Sequence, residues 1–554
     1  MESIIQPTQQ VRFIVVQARA GNAAALETKF VRLLFDARGQ GLRVKVRIWH
    51  GCSIGVAPYN AAMTGIETNL YRVADVRLIE AQAKHLTGQD AWSLMQRAGA
   101  AAFAMLRERW PEARRILVVC GTGNNGGDGY VVALLARNHG LTVTLVQGGA
   151  LPTRDPAAQA VVQWHDAGGA VITSAGEDLP GADLIIDALL GIGLDRAPEG
   201  VTAAMIAAIN RHPAPVFALD APSGLNADTG HPPADCVQAE RTLSFIAWKR
   251  GLWTGAAVQF CGELYLATLS VPAMAFAEVL ADAHLMTAAD VTTALPRRAR
   301  DIHKGRTGHA LVVGSDHGFG GAVLIAAAAA ARAGAGLVSV ATRIEHVSAL
   351  LAQRPEVMAR AITCGDDLQR SIERADVIAL GPGLGQSDWS LQLAQTACAS
   401  GKPMVVDADA LNLLAAGRIE LHGTLVLTPH PGEAARMLGV DVATVERDRF
   451  AAVRELAHRH RAVVVLKGAG SLIADRDGTV SLCPFGNPGM ASGGMGDALT
   501  GVIAALIAQG LATAEAARIG VVVHALAADR AARDGERGLL ASDVIAALRA
   551  IMNP

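Results

Sequence analysis

From Tyr71 onward the chain alternates short apolar runs with longer helical patterns, and this alternation constrains the fold more than any other feature. Residues Arg115–Cys120, 142–146, 184–186 and Val216–Leu219 read as buried strands. A second series occupies 310–313, 337–341, Val377–Leu380, Met404–Val406, 424–427 and Val463–Leu466. Such uniformly apolar runs are buried on both faces, and strands separated by helices pair in parallel beneath helical layers. The expected class is α/β, in two domains covering 69–275 and 286–554. A helix is expected over 73–97 and a linker near 271–286, followed by a basic, polar stretch at 297–306.

Composition narrows the rest. A chain of 554 residues exceeds one ordinary domain. Aromatics make up only 4%, so Ala, Val, Leu and Ile must build the cores, and 58 glycines suit many tight turns. A net charge of -2 gives no general attraction to nucleic acid or anionic membrane. Seven scattered cysteines without a CxxC pair point to a reducing compartment rather than a disulfide framework. The Ala-rich run 323–335 is too short to span a bilayer and contains Arg332. With no signal-like N-terminus, the reading is a soluble cytoplasmic protein, with a homo-oligomer expected.

In the first domain, Cys120-Gly-Thr-Gly-Asn-Asn-Gly-Gly-Asp-Gly129 joins a strand to a helical run at 131–137. Gly121, Gly123 and Gly126 fit the dinucleotide fingerprint, but the next strand ends in Gln147-Gly-Gly149, without the acid that would hold a ribose. Asn124, Asn125 and Asp128 therefore need another explanation. Amides and a carboxylate in a glycine turn bind phosphate, ribose hydroxyls or a hard cation; capping of the following helix is the plainer alternative. Two more strand ends carry acids: Asp187, ahead of Gly191-Ile-Gly-Leu-Asp-Arg196, and Asp220, ahead of Ala221-Pro-Ser-Gly224. Ligands bind beyond the carboxyl ends of parallel strands, so these positions can converge.

In the second domain, Asn487-Pro-Gly-Met-Ala-Ser-Gly-Gly-Met-Gly-Asp497 places a carboxylate behind glycines at the start of an apolar helical pattern, 498–506. Backbone N–H groups and the helix N-terminus cradle an anion there, while Asp497 can take a proton from a hydroxyl. The alternative for this motif alone is a glycine turn capped by Asp. Gly381-Pro-Gly-Leu-Gly385, Thr428-Pro-His-Pro-Gly-Glu433 and Lys467-Gly-Ala-Gly-Ser471 also follow apolar runs, and none has the GxxxxGK[ST] order of a P-loop. Lys304-Gly-Arg-Thr-Gly-His309 and the loop 314–322 flank the first strand of this series as a cover for substrate or a plain βα turn.

Those four C-terminal motifs resemble the ribokinase-like family and, more narrowly, its nucleotide-dependent NAD(P)H-hydrate dehydratases. Asn124-Asn-Gly-Gly-Asp128, Asp187, 191–196 and Leu219-Asp-Ala-Pro-Ser-Gly224 resemble the NAD(P)H-hydrate epimerases, with Ala221 where Ile is frequent. The resemblance implies an N-terminal Rossmann-like three-layer sandwich and a C-terminal ribokinase-like α/β domain. It implies a potassium ion on Asn125, Asp187 and Ser223, and Asp220 as the epimerase acid/base. Substrate contacts would come from Asn124, Asn125, Gly126, Gly127, Asp128, Gly191, Ile192, Gly193, Leu194, Asp195, Arg196, Ala197 and Asp220. In the second domain it implies Ala322, Gly383, His430 and Asp497 against the hydrate, with Asp497 catalytic. Lys467, Gly468, Ala469, Gly470, Ser471 and Gly496 would bind the nucleotide, ADP, with magnesium. Ser471 stands where Thr is frequent, keeping the hydroxyl. The substrates would be hydrated NADH and NADPH, with no nucleic-acid or membrane partner.

Two other readings stand beside this one: a vitamin or sugar kinase fused to a Rossmann-like nucleotide-binding domain, and a sensing module on degenerate enzyme folds. Retention of both Asp220 and Asp497 argues against the second. Residues 1–68 form an extension of unclear role. Arginines 12, 19, 32, 38, 43 and 47 outnumber its acids, residues 11–16 and 42–48 are candidate strands, and Met63 is a natural start. The segment carries no chemical motif, so an appendage is expected.

Overall fold

The computed structural model describes residues 65–174, 176, 178–194 and 196–553, with the strands Ile14–Val16, Lys29–Val31 and Val56–Pro58. Ile14–Val16 pairs antiparallel with Lys29–Val31. The expected strand at 42–48 and Asp195 lie outside the described residues.

The first sheet has eight strands in the order Val56–Pro58, Glu263–Ala267, Arg241–Phe245, Val216–Leu219, Leu184–Ala188, Arg115–Cys120, Thr142–Gly148 and Ile172–Ser174. All pairings are parallel except the edge formed by Val56–Pro58, which runs antiparallel to Glu263–Ala267. Val56–Pro58 precedes Met63, so the extension contributes a strand to this sheet, which its composition does not announce. Val118, Val119, Ile185, Ile186 and Leu219 are fully buried, as runs covered on both faces require.

The expected helix over 73–97 is two helices, Val73–Thr87 and Ala91–Arg109. Gly88 adopts a left-handed φ of 65°, and Asp90 caps the second helix by accepting the Ser93 N–H at 2.9 Å. A glycine stop followed by an Asx cap overrides the continuous apolar pattern.

The second sheet has twelve strands and does not stop at the expected domain boundary. Its order is Trp248–Lys249, Asn69–Tyr71, Ala283–Leu285, Val480–Cys483, Ser471–Ala474, Val463–Leu466, Leu425–Leu427, Met404–Val406, Val377–Leu380, His309–Val313, Leu337–Thr342 and Met358–Ala361. The expected linker thus contains a strand: Ala283–Leu285 runs parallel to Val480–Cys483 and antiparallel to Asn69–Tyr71. Asp282 binds the halves further. It accepts from Arg72 at 2.7 Å, Arg250 at 2.6 Å and Arg454 at 2.9 Å. Burial alone would raise its carboxyl, but Arg250 and Arg454 prevail and hold it below the ordinary value.

Helices Gly320–Arg332, Met495–Ala508 and Thr513–Ala531 cover one face of this sheet with an Ala-rich core. Gly501 makes that approach possible, since an added Cβ would meet the Ala326 carbonyl at 2.1 Å. Among the described residues no helix is long and apolar enough to cross a membrane.

Two candidate active sites

The first site is a cavity of about 390 Å³ above the carboxyl ends of the first sheet. Asn124, Asn125, Asp128, Gly191, Ile192, Gly193 and Asp220 line it, with Arg77, Glu80 and Lys249. Helix Asn124–Asn138 begins inside the glycine loop, so Asn124 and Asn125 are its first residues. Gly126 and Gly127 lie beneath the lining and serve packing: a Cβ there would meet the Gly121 carbonyl at 2.1 Å and Met95 Cε at 2.5 Å, respectively. Leu194, Arg196 and Ala197 are absent from the lining.

Asp220 holds a left-handed φ of 64°, a conformation that costs a non-glycine residue energy and turns its carboxylate back toward the sheet end. There it forms an ion pair with Lys249, and its Oδ1 accepts the Phe245 N–H at 3.1 Å. Lys249 is 1% exposed and also donates to Phe245 O at 2.8 Å and Ser244 Oγ at 3.2 Å. The sequence reading missed Lys249; a lysine inside the otherwise apolar segment 245–249 was its only signal. Asp128 has its carboxyl pushed well above the usual range by burial, with the negative charges of Asp220 and Glu80 adding and Lys249 opposing.

Asp187 and Ser223 lie beneath this cavity, both fully buried. Asp187 accepts from Ser223 Oγ at 2.6 Å, from the Ser223 N–H at 2.8 Å and from the Leu189 N–H at 3.2 Å. Burial raises its carboxyl to about 6 against those bonds. Asn125 donates its amide to Leu190 O at 2.8 Å, while its buried Oδ1 has no hydrogen-bond partner among the described residues.

The second site gathers where three strand ends meet the start of helix Met495–Ala508. Asp497 lies in the first turn of that helix, whose cap residue Gly494 has φ 84°. Burial first, then the neighbouring charge of Asp407, raises the Asp497 carboxyl to about 7, against the pull of Lys467. Lys467 itself is ion-paired with Asp407 at 2.7 Å and lies 3.7 Å from Glu433. Burial opposes its charge, but Asp407 and Glu433 prevail and raise its pKa. Asp407 is 1% exposed and also accepts from Thr500 Oγ1 at 2.8 Å.

His430 caps helix Pro431–Leu438: its Nδ1 accepts the Gly432 N–H at 3.0 Å, and its backbone N–H donates to Glu433 at 2.8 Å. Desolvation lowers its pKa, and Lys467 adds to this against Glu433. Gly383 packs beside Ala322, where an added Cβ would lie 3.0 Å from the alanine's own. Gly381, two residues earlier, abuts the Asp407 carbonyl, so the glycine loop adjoins this cluster. Asp316, in the loop before helix Gly320–Arg332, accepts from Ser387 at 2.6 Å and Arg343 at 2.8 Å. Those bonds outweigh burial and lower its carboxyl to about 2.

The turn Lys467–Ser471 joins two antiparallel strands, and the first half of the chain presses on it. Thr254 Oγ1 donates to Gly470 O at 2.8 Å, and Gly255 N–H donates to Ala469 O at 3.0 Å. A Cβ on Gly470 would meet the Trp253 carbonyl at 1.9 Å. Buried Arg449 connects Thr254 to the Lys467 carbonyl at 3.0 and 3.1 Å.

A two-domain α/β chain with an acidic cluster beyond the strand ends of each sheet has the organisation of an enzyme with two centres. The comparisons specify which. Residues 91–251 match the family described as YjeF-related protein N-terminus, and residues 310–550 match NAD(P)H-hydrate dehydratase. The bifunctional NAD(P)H-hydrate repair enzyme of Coxiella burnetii is 47% identical over 489 residues, spanning 88% of this chain and 100% of its own. That of Escherichia coli is 45% identical over 482 residues, spanning 87% and 93%. A solved structure described as an ADP/ATP-dependent NAD(P)H-hydrate dehydratase from Bacillus subtilis is 32% identical, covering 48% of this chain and 96% of its own, at a TM-score of 0.43. The chain belongs to the bifunctional NAD(P)H-hydrate repair enzyme family.

Proposed function

We propose that the first site interconverts the R and S forms of hydrated NADH and NADPH, and that the second dehydrates the S form at the expense of ADP, giving AMP and phosphate. The observation that carries the reading is the environment of Asp497. A carboxylate raised to about 7 sits in the first turn of a helix, beside a lysine whose charge is already engaged by Asp407. Such a group accepts a proton near neutral pH, and the helix start and glycine turns favour phosphate oxygens.

In the dehydratase, Asp497 takes the proton of the C6 hydroxyl, and that oxygen attacks the terminal phosphate of ADP. The ring nitrogen then expels phosphate, a better leaving group than hydroxide, and loss of a C5 proton restores the dihydronicotinamide. Lys467 to Ser471 and Gly496 hold the nucleotide; Ala322, Gly383 and His430 hold the hydrate. Among the described residues no group of three or more His, Cys, Asp and Glu is placed to cage a metal. Magnesium would accompany the nucleotide phosphates and neutralise their charge.

In the epimerase, the ring nitrogen's lone pair helps expel the C6 hydroxyl, water returns to the other face, and Asp220 handles a proton. Asn125, Asp187 and Ser223 suit potassium: among the described residues the buried Oδ1 of Asn125 has no partner, the Asn125 amide and the Ser223 hydroxyl both donate to the Leu190 carbonyl, and Ser223 also reaches the Asp187 carboxylate. Bound there, potassium would fix the loops that receive substrate phosphate. The test is incubation of hydrated NADH with protein and ADP. Recovery of dihydronicotinamide absorbance with release of AMP and phosphate is expected. A stable phosphorylated product would replace this reading with that of a kinase.

A further inference from the structure

Exchanging the C6 hydroxyl between ring faces takes two proton events. The departing oxygen needs a proton on one face, and the returning water must lose one on the other. A single carboxylate reaches one face, so the epimerase cavity needs a second proton-handling group.

Lys249 has its donors committed to Asp220, Ser244 and Phe245. Glu80 pairs with Lys84 at 2.6 Å, and Arg77 is permanently charged. Cys120 is fully buried, and its thiol is pushed well up. Asp128 remains. It lines the same cavity as Asp220, and no hydrogen-bond donor among the described residues reaches its carboxyl. Asp220, by contrast, is ion-paired and accepts a backbone N–H. Two carboxyl groups in one cavity whose surroundings differ this way divide into an acid and a base. Burial, Asp220 and Glu80 favour the protonated form of Asp128.

We propose that Asp128 is a second catalytic residue of the epimerase, the acid that protonates the departing hydroxyl while Asp220 accepts the proton of the incoming water. The proposal rests on the epimerase reading above. The Asp128 proton moves to the C6 oxygen, the C6–O bond breaks, and the nitrogen lone pair forms a C6=N bond as water leaves. Water then bonds to C6 from the opposite face, its proton goes to Asp220, and the C=N electrons return to nitrogen. The proton has moved from Asp128 to Asp220 at constant net charge. After product leaves, Asp220 gives its proton to water and Asp128 takes one back, which restores the starting form; the reverse reaction runs the same steps in the opposite direction.

The experiment measures R-to-S exchange by chromatographic separation of the two epimers of hydrated NADH, using the full chain. Asp128→Asn is expected to lower kcat on the order of 10²- to 10⁴-fold with KM little changed, and Asp128→Glu to recover part of it. Uptake of ¹⁸O from labelled water at C6 should fall in parallel, while ADP-dependent dehydration of pure S hydrate continues and reports an intact fold. If the Asn variant does not fold, Asp128→Glu against Asp128→Gln makes the same comparison, and the proposal requires at least about a tenfold difference in kcat. Unchanged kcat, or a loss confined to KM, overturns the assignment and leaves Asp128 a binding residue. Failure of the wild-type chain to interconvert R and S overturns the epimerase reading itself.

Discussion

The two sites place an aspartate at the centre of each and treat it in opposite ways. Asp220 sits at a strand end in a left-handed conformation, ion-paired with buried Lys249. Asp497 sits in the first turn of a helix, and the nearby Lys467 is ion-paired with Asp407 instead. Diverting that lysine leaves Asp497 desolvated beside a second negative charge, which raises it to about 7. One fold class thus holds one aspartate against an ammonium group and poises another as a base near neutrality. Burial of Asp497 and the pairing of each lysine separate the two environments.

The sharpest way to break this comparison is to remove each carboxylate alone. We expect Asp497→Asn to cut dehydration by about 10²- to 10⁴-fold while R-to-S exchange and nucleotide binding persist, and Asp220→Asn to do the reverse. If either variant loses both activities while folded, the sites are not separate centres.

Next in size is the pH response. Asp497 works as a base when ionised, so the dehydration rate should rise with pH and level off above about 7. Its folded pKa is raised, so its contribution to stability is present at low pH and is lost as pH rises through about 7. The Asn variant should therefore melt higher than the wild type above neutrality, and the difference should disappear in acid. A flat rate profile, or a variant equally stable at all pH values, would show that burial and the Asp407 charge do not raise the Asp497 carboxyl.

Smaller again is the effect of the cavity floor. Asn125→Ala should blunt stimulation of R-to-S exchange by potassium, roughly tenfold in the potassium needed, consistent with loss of one ligand. Titration with potassium chloride against a choline control reads it, and unchanged stimulation would place the ion elsewhere. The smallest effect concerns the extension. Chains beginning at Ile54 and at Met63 should both retain the two activities. The second lacks Val56–Pro58 and should melt a few degrees lower. Equal melting temperatures would show that this edge strand adds nothing.

Much of the architecture was legible because it is local. Arg115–Cys120, Val216–Leu219, Val377–Leu380, Met404–Val406 and Val463–Leu466 fall where uninterrupted apolar runs put them. The acids at strand ends could be found by the same rule, which marked Asp187 and Asp220 and should have marked Asp407 after Met404–Val406. Lys249 was not legible as a site residue because its partner is distant in sequence, and the partner of Lys467 is more distant still. Lys249 meets Asp220 across 29 residues, and Lys467 meets Asp407 across 60. The continuity of the second sheet was hidden for the same reason. Asn69–Tyr71 and Ala283–Leu285 have three residues each, too few to show a period, and their pairing spans over two hundred positions.

That pairing has a consequence for a chain that has been cut. Leu280 is 89% exposed in the connecting segment, a natural point for protease attack. A nick there would leave Asn69–Tyr71 hydrogen-bonded to Ala283–Leu285, and Asp282 still held by Arg72, Arg250 and Arg454. The two fragments should co-elute from a sizing column and part only in denaturant. Covalent continuity and physical integrity are therefore separate properties of this molecule, and the second is written into a sheet to which both halves contribute strands.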